Sequence, residues 1–366
     1  MANNTSKYWD IYRTLTHNAL FYFICGNRTG GKSFGCKEYA IKNFITKGEQ
    51  FAYVRRTKDD LKDSAKEFFK DISTKFPNYE FKVDGNKFYC RLIEDTEKPK
   101  VKPWTEDDIC GYGFNLTTAS NRKSIPYPNI TFIIYDEFLI DIEGGNQRYI
   151  KNEPRCLFNL YETIARPGTD HPRVILFALA NSTSVNNPYF VKLDLKCPDP
   201  ETDKPDKNGK YIWHHPTRPI IVENAVKQEM VEAKQQTEFY QLIKGTDYDD
   251  FSIKNKFIND DDTFVEKRVS TAMPYFRFIY KGKQYGVWVS MIEGLMWVSE
   301  QYDPKYPIVY SLTMKDHQPN TLFLKNKNQA KHFNTFIQAY KDGLVRFESI
   351  LIKSICYEIL KLTMSV

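Results

Sequence analysis

Gly26-Asn27-Arg28-Thr29-Gly30-Gly31-Lys32-Ser33 stands between a short apolar run, Leu20 to Cys25, and a stretch that reads as a helix, Phe34 to Phe44. The order is strand, glycine-rich loop, helix, and the loop spells G-x-x-x-x-G-K-S. Glycines at these positions let backbone amides turn inward around a phosphate, at the positive end of the following helix. Lys32 can then reach the terminal phosphates, and Ser33 can hold magnesium. A glycine-rich turn that happens to contain Lys-Ser is the plainer alternative; the flanking strand and helix favour the phosphate cradle, formed by Gly26, Asn27, Arg28, Thr29, Gly30, Gly31, Lys32 and Ser33.

A second stretch decides what such a loop would do. Ile130-Thr131-Phe132-Ile133-Ile134-Tyr135 is a continuous apolar run, expected of a strand buried on both faces, and Asp136-Glu137 closes it. In a P-loop enzyme Asp136 would hold magnesium together with Ser33, and Glu137 would act as general base on the attacking water. Acidic residues that merely cap a strand are the alternative without the loop. A glutamate directly after the aspartate points to an ATPase of the additional-strand, catalytic-glutamate type.

Other segments extend the α/β pattern. Gln50 to Arg56 reads as a second parallel strand, followed by a polar helix from Lys58 to Phe69. Asp84-Gly85-Asn86 between two strand-like runs signals a hairpin. Pro154 to Ile164 reads as a helix that ends at Arg166-Pro167-Gly168. The strand Arg173 to Ala180 ends in Asn181, a candidate sensor of the γ-phosphate, though an ordinary Asn-Ser turn fits the spacing nearly as well.

The proline-rich segment Pro198 to Lys210 is expected to end the first domain. The expected organisation is an ATPase domain over 1–197, a linker module over 198–250 with a helix from Glu223 to Ile243, and a C-terminal α+β domain over 251–366. That last part shows short strands at Thr263–Arg268, Tyr275–Tyr280, Gln284–Ser290, Gly294–Val298 and Ile308–Leu312, read as an antiparallel meander, and then two helices.

Composition bounds the rest. At 366 residues the chain suits two domains. The net charge of +6 is too modest to announce nucleic acid by itself, so polyanion contact would be local. Loops around Lys100–Lys102 and Arg122-Lys123 are candidates. Seven scattered cysteines without a C-x-x-C pair fit a reducing cytosol better than a disulfide or zinc framework. The His214-His215 pair has no carboxylate or cysteine at ligand spacing and reads as surface. No signal segment and no apolar run of about 20 residues is present, so no membrane role is expected.

The motifs Gly-Asn-Arg-Thr-Gly-Gly-Lys-Ser, Tyr-Val-Arg-Arg-Thr-Lys (53–58), Tyr-Asp-Glu-Phe (135–138) and the Ala-Asn-Ser strand end resemble the DNA-packaging ATPases of small podophages of the phi-29 type. The likeness covers nearly the whole chain. Asn-Pro-Tyr-Phe (187–190), Phe-Val-Glu-Lys-Arg (264–268), Gly-Val-Trp-Val (286–289) and Gly-Leu-Met-Trp-Val (294–298) make it specific. The resemblance implies an ATPase with ATP and Mg2+ as cofactors and an RNase H-like C-terminal domain. It also implies a homo-oligomeric ring, five subunits in the family, that drives double-stranded DNA into a prohead at the portal vertex. In the phi-29 type a structural packaging RNA bridges ring and prohead. Localisation would be the host cytoplasm and, transiently, the prohead, with absence from the mature virion. Arg166 matches the family's trans-acting arginine finger, and Lys58 a second basic residue acting across the subunit boundary. Arg28 is an alternative phosphate contact.

Ser290 follows Gly-Val-Trp-Val where a two-metal nuclease would carry an acidic residue, so the C-terminal domain reads as a vestigial nuclease. Three other readings stay open: a large terminase subunit with an active nuclease, a non-packaging DNA-translocating or helicase ATPase, and an assembly protein that binds ATP but hardly hydrolyses it.

Overall fold

The computed structural model describes residues 8–27, 30–93, 102–118, 126–140, 148–166, 173–181, 184–200, 203–225, 228–244, 263–324 and 330–364, without the side chains of 228–230 and 361–364. The chain divides into two compact units at 259/260.

The first unit is built on nine strands: β1 (Phe21–Cys25), β2 (Gln50–Arg55), β3 (Tyr79–Asp84), β4 (Lys87–Leu92), β5 (Ile109–Asn115), β6 (Ile130–Asp136), β7 (Ile175–Ala180), β8 (Tyr211–His214) and β9 (Ile220–Asn224). Their order across the sheet is β3-β4-β5-β2-β6-β7-β1-β9-β8. The six strands from β5 to β9 in that order are parallel. The β3–β4 hairpin and β8 add antiparallel edges.

Apolar side chains explain the layering. Alternate residues of β1 face opposite ways. Tyr22 and Ile24 join the core cluster that holds Cys36, Ala40 and Ile41 of helix α2 (Lys32–Lys47), together with Phe51 and Phe68. On the other face Phe21 stacks edge-on against Tyr161 of α4 (Glu153–Ile164), and Phe23 meets Phe138 and Tyr189. Helix α1 (Ile11–Leu15) precedes the sheet, α3 (Lys58–Lys66) follows β2 behind a Thr57–Asp60 capping box, and α5 (Pro188–Leu193) carries Tyr189. With the strands parallel, the carboxyl ends of β1, β2, β6 and β7 lie along one edge. Cys25 pairs with Ala180, Asp136 with Leu179 and Val54 with Tyr135. Ligands of open α/β sheets bind at that edge.

The expected end of the first domain at 197 is corrected. β8 and β9 lie beyond it, and β9 pairs in parallel with β1 itself. The proline-rich loop returns the chain to the sheet instead of releasing it. The stretch expected as one helix from Glu223 is the end of β9, followed by α6 (Gln228–Gln235) and α7 (Glu238–Ile243). The 198–250 linker module thus contributes two strands to the first unit, and the boundary near 251 moves to 259/260.

The second unit has six strands: β10 (Met273–Tyr280), β11 (Lys283–Ser290), β12 (Leu295–Ser299), β13 (Val309–Ser311), β14 (Leu322–Phe323) and β15 (Val345–Phe347), in the order β14-β13-β10-β11-β12-β15. β10, β11 and β12 form the expected antiparallel meander. β13, β14 and β15 pair in parallel, so the sheet is mixed. The strand expected at Thr263–Arg268 reduces to a single bridge from Val265 to Phe347. Helices α8 (Lys331–Lys341) and α9 (Ile350–Met364) supply Phe333, Phe336, Ile352 and Cys356 to a core with Phe276, Phe278 and Val287.

Candidate active site

The loop after β1 is held from two sides. Trp9 donates its backbone N–H to the Gly30 carbonyl at 2.9 Å, and Trp9 Nε1 donates to the buried Glu223 of β9 at 2.9 Å. A Cβ on Gly26 would lie 2.9 Å from the Ala225 carbonyl oxygen, so the end of β9 leaves room for glycine alone. Gly31 takes the left-handed conformation, φ 85°, that opens α2. Arg28 and Thr29 lie outside the described residues. Lys32 is buried, and its Nζ donates to the carbonyls of Gly26 at 2.9 Å and Asn27 at 2.7 Å. Burial pulls its ammonium down to about 8, against the opposing pull of Cys25 and Asp136. A cation of this kind, curled against the loop's own carbonyls beneath a helix N-terminus, suits a polyphosphate.

The carboxylates stand across the gap. Ser33 Oγ donates to Asp136 Oδ1 at 3.1 Å, and Tyr53 OH donates to Asp136 Oδ2 at 3.2 Å. Burial and the Asp136 charge push the Tyr53 phenol up, which keeps it a donor. Arg55, the last residue of β2, places Nη1 3.4 Å from Asp136 Oδ2 and Nη2 2.6 Å from Glu137 Oε2. Glu137 itself has φ 60°, a left-handed backbone in a residue with a side chain. A hydroxyl beside a carboxylate, both open to a cleft, is a donor set that fits magnesium.

Behind this edge lies a buried polar cluster. Glu153, the first residue of α4, is fully buried and accepts from Arg56 Nε at 2.9 Å, Tyr135 OH at 2.7 Å, Tyr189 OH at 2.9 Å and Ile150 N at 3.0 Å. Arg56 Nη2 also donates to the carbonyls of Glu137 at 3.1 Å and Phe138 at 2.9 Å.

A cavity of about 850 Å³ opens over the loop, with Lys32, Ser33, Asp136, Glu137 and Asn181 along one wall. Tyr8, Tyr12 and Tyr39 also line it, and Tyr8 packs against Gly31 of the loop. The structure therefore gathers Asn27, Gly30, Gly31, Lys32 and Ser33 of the loop, both carboxylates and Asn181 around one space. Arg166, two residues past the end of α4, and Lys58, exposed at the start of α3, do not line it. Of the candidate loop contacts, Lys100 and Arg122-Lys123 lie outside the described residues.

Sequence reasoning missed Arg55, although two arginines closing an apolar strand were visible. It also missed Glu153 and Glu223, whose burial no local pattern announces. His214 does have polar company in space: its Nε2 lies 3.0 Å from His17 Nδ1, and His17 Nε2 lies 3.2 Å from Asp206. Among the described residues no group of three or more His, Cys, Asp or Glu could hold a metal ion. In the second unit Asp316 accepts from the backbone N–H of Lys281 and Gly282 and from Thr313, which gives that carboxylate a structural role. Ser290 closes β11, and its Oγ accepts from Glu293 N.

A family model described as "Podovirus DNA encapsidation protein (Gp16)" matches residues 3–365. The chain is 34% identical over 348 residues to the DNA packaging protein of Bacillus phage B103, a match that covers 95% of this chain and 98% of that protein. To the DNA packaging protein of Bacillus phage phi29 it is 32% identical over 356 residues, with 97% and 98% covered. A chain of the solved "bacteriophage Phi-29 viral genome packaging motor assembly" superposes with a TM-score of 0.66 at 31% identity, covering 97% of this chain and 99% of that one.

Proposed function

The chain belongs to the podovirus DNA encapsidation protein (Gp16) family, and from that premise we propose that it is the ATP-hydrolysing motor that drives double-stranded viral DNA into a prohead. The observation that carries the chemistry is the facing of Lys32 and Ser33 by Asp136, Glu137 and Arg55 across a single cleft.

The strand order supports a P-loop ATPase of the additional-strand, catalytic-glutamate type. β7 stands between the loop-bearing β1 and the Asp136-bearing β6, which sets a strand's width between loop and general base. The space suits an attacking water. In this reading the ATP phosphates lie on the loop backbone and Lys32, and the base lies towards Tyr8, Tyr12 and Tyr39. Ser33 and Asp136 hold Mg2+, which when bound neutralises charge on the phosphoryl group. Glu137 takes the proton of the attacking water. Asn181, at the tip of β7 on the same cavity, reports occupancy to the rest of the unit. Arg166 completes the site of a neighbouring subunit, which requires a homo-oligomeric ring, five subunits by family likeness, and Lys58 acts at the same boundary. The position of both residues away from their own cavity supports that reading.

The second unit is proposed as an RNase H-like domain that has lost its nuclease. In favour are three antiparallel strands extended by two parallel ones on the β10 side, and a serine where β11 would present a metal ligand. Its work would be docking to the portal, prohead or a structural packaging RNA. DNA contact through phosphates, including the Lys100–Lys102 loop, would be independent of sequence and weaken with salt. The motor would act in the host cytoplasm on the assembling prohead and leave before the virion matures. The test is ATP hydrolysis by the full chain with proheads and DNA. Packaging accompanied by hydrolysis in the parent, and neither in Glu137→Gln, supports the motor. Equal hydrolysis in both overturns the motor, and plasmid cleavage with manganese overturns the loss of the nuclease.

A further inference from the structure

Glu137 has a left-handed backbone, φ 60°, that side-chain-bearing residues seldom adopt. Such a conformation persists only where its surroundings over-determine it. Here the surroundings are specific. Arg56 Nη2 takes the carbonyl oxygens of both Glu137, at 3.1 Å, and Phe138, at 2.9 Å. One nitrogen thus holds two successive peptide planes, the one that leaves Glu137 and the one that leaves Phe138. Nε, on the same edge of the guanidinium, is held by Glu153 at 2.9 Å.

Glu153 is in turn fixed by three further donors: the hydroxyls of Tyr135 and Tyr189 and the amide of Ile150. Tyr135 immediately precedes Asp136, so the carboxylate grips the strand that bears the acidic pair as well as the arginine. The Tyr149 ring lies 5.3 Å from the guanidinium and accepts at its hydroxyl from the Ile140 amide, so the chain after the turn is tied to the same centre.

Both ions are buried, Glu153 completely. A buried ion pair gains little stability over an apolar replacement of similar shape. Here it supplies a direction: a planar fork with donors at fixed angles, held by a carboxylate whose acceptor positions are filled. Neither group lines the cavity; Arg56 reaches it only through the backbone of Glu137.

We infer that Arg56 and Glu153 form the positioning pair that sets the backbone of Glu137, and with it the reach of the general base towards the attacking water. Arg56 is a positioning residue and not a second phosphate ligand, although it stands next to Arg55 in the chain. Glu153 also opens α4, beyond whose far end Arg166 lies. The pair therefore anchors the turn bearing one subunit's base to the helix leading to the finger offered to its neighbour. The inference rests on the reading of Glu137 as general base.

The experiment uses the full chain and separates turnover from nucleotide binding. Arg56→Lys keeps the charge and the partner but cannot span Glu153 and two carbonyls at once. Glu153→Gln keeps the shape and loses the charge. Both variants should bind a non-hydrolysable ATP analogue within about twofold of the parent and hydrolyse ATP at least about tenfold more slowly. Rates are referred to folded protein, measured by circular dichroism well below each Tm. A purely structural pair would lower Tm and leave turnover per folded molecule within about twofold, which overturns the inference.

Should either variant fail to fold, the double variant Tyr135→Phe/Tyr189→Phe removes two donors from Glu153 and leaves both charges. It should lose about threefold or more in turnover with binding retained, and unchanged turnover overturns the inference. Glu137→Gln runs alongside. If Glu137→Gln still hydrolyses, the general-base reading falls and the positioning pair with it. If Glu137→Gln is inert while Arg56→Lys and Glu153→Gln turn over normally, the positioning inference alone falls.

Discussion

Arg55 holds Glu137 by an ion pair of 2.6 Å from the end of the neighbouring strand, and the same guanidinium reaches Asp136 at 3.4 Å. Two carboxylates adjacent in sequence thereby share one cation that is itself largely buried. Arg55→Met would leave both acids uncompensated at the mouth of the cleft. Nucleotide-free protein should lose about 1–3 kcal/mol of stability. Saturating Mg2+-ATP analogue should recover most of it, since its binding stabilises the folded state and supplies the missing positive charge. Denaturant unfolding with and without the analogue checks this. A loss equal in both conditions would mean that Arg55 serves packing only.

Glu137→Gln should lower hydrolysis by about 10²–10⁴-fold, the range for removing a positioned general base. Nucleotide affinity should stay within about twofold, because the proposal seats the phosphates on the loop and Lys32. Single-turnover hydrolysis and equilibrium binding separate the two. A variant that loses affinity and rate together would place Glu137 in binding instead of chemistry.

Lys32 gives a pH dependence with a definite sign. Burial holds its ammonium at about 8 in the protein without nucleotide, below its ordinary value. Bound phosphates favour the charged form. Binding must therefore take up a proton once the pH exceeds 8, and affinity should fall by about tenfold per pH unit beyond that point. Below pH 7 the affinity should be flat with respect to this group. Calorimetry in buffers of different ionisation enthalpy reads the proton directly. Affinity that is level up to pH 10 would show that Lys32 stays charged throughout.

These residues also show what the sequence made legible. The loop was readable because its glycines, lysine and serine are consecutive and fixed by one local geometry. Asp136-Glu137 was readable because a strand buried on both faces admits polar residues only at its end. Arg55 was not placed, because its partners lie 81 and 82 residues downstream and meet it only through the β2–β6 pairing. Glu223 shows the converse error. A glutamate opening a polar stretch looks like a helix start, and only its bonds to Trp9, Thr14 and Lys210 reveal a buried position at the end of β9. The mixed sheet of the second unit was misread for the same reason: β13 and β15 join it by parallel pairing across long crossovers, which leaves no turn signature.

Arg166 and Glu137 can be tested together, because the proposal puts them in different subunits' contributions to one site. Arg166→Ala should reduce hydrolysis in the assembled motor by about 10³-fold or more, as loss of a trans-acting arginine does in related phosphoryl transfer. Glu137→Gln should be inert for its own reason. In a mixed ring, a subunit lacking the finger still has its base, and a neighbour lacking the base still offers its finger. Mixing the two variants on proheads should therefore restore hydrolysis well above either alone, to a fraction set by the mixing ratio. Restoration requires that a Glu137→Gln subunit supply the finger to the site of an Arg166→Ala subunit, which no arrangement within a single chain can do. Mixtures no more active than their components would place Arg166 in its own subunit's structure, and the basic residue that completes the site would have to be sought elsewhere, with Lys58→Ala the next to be mixed.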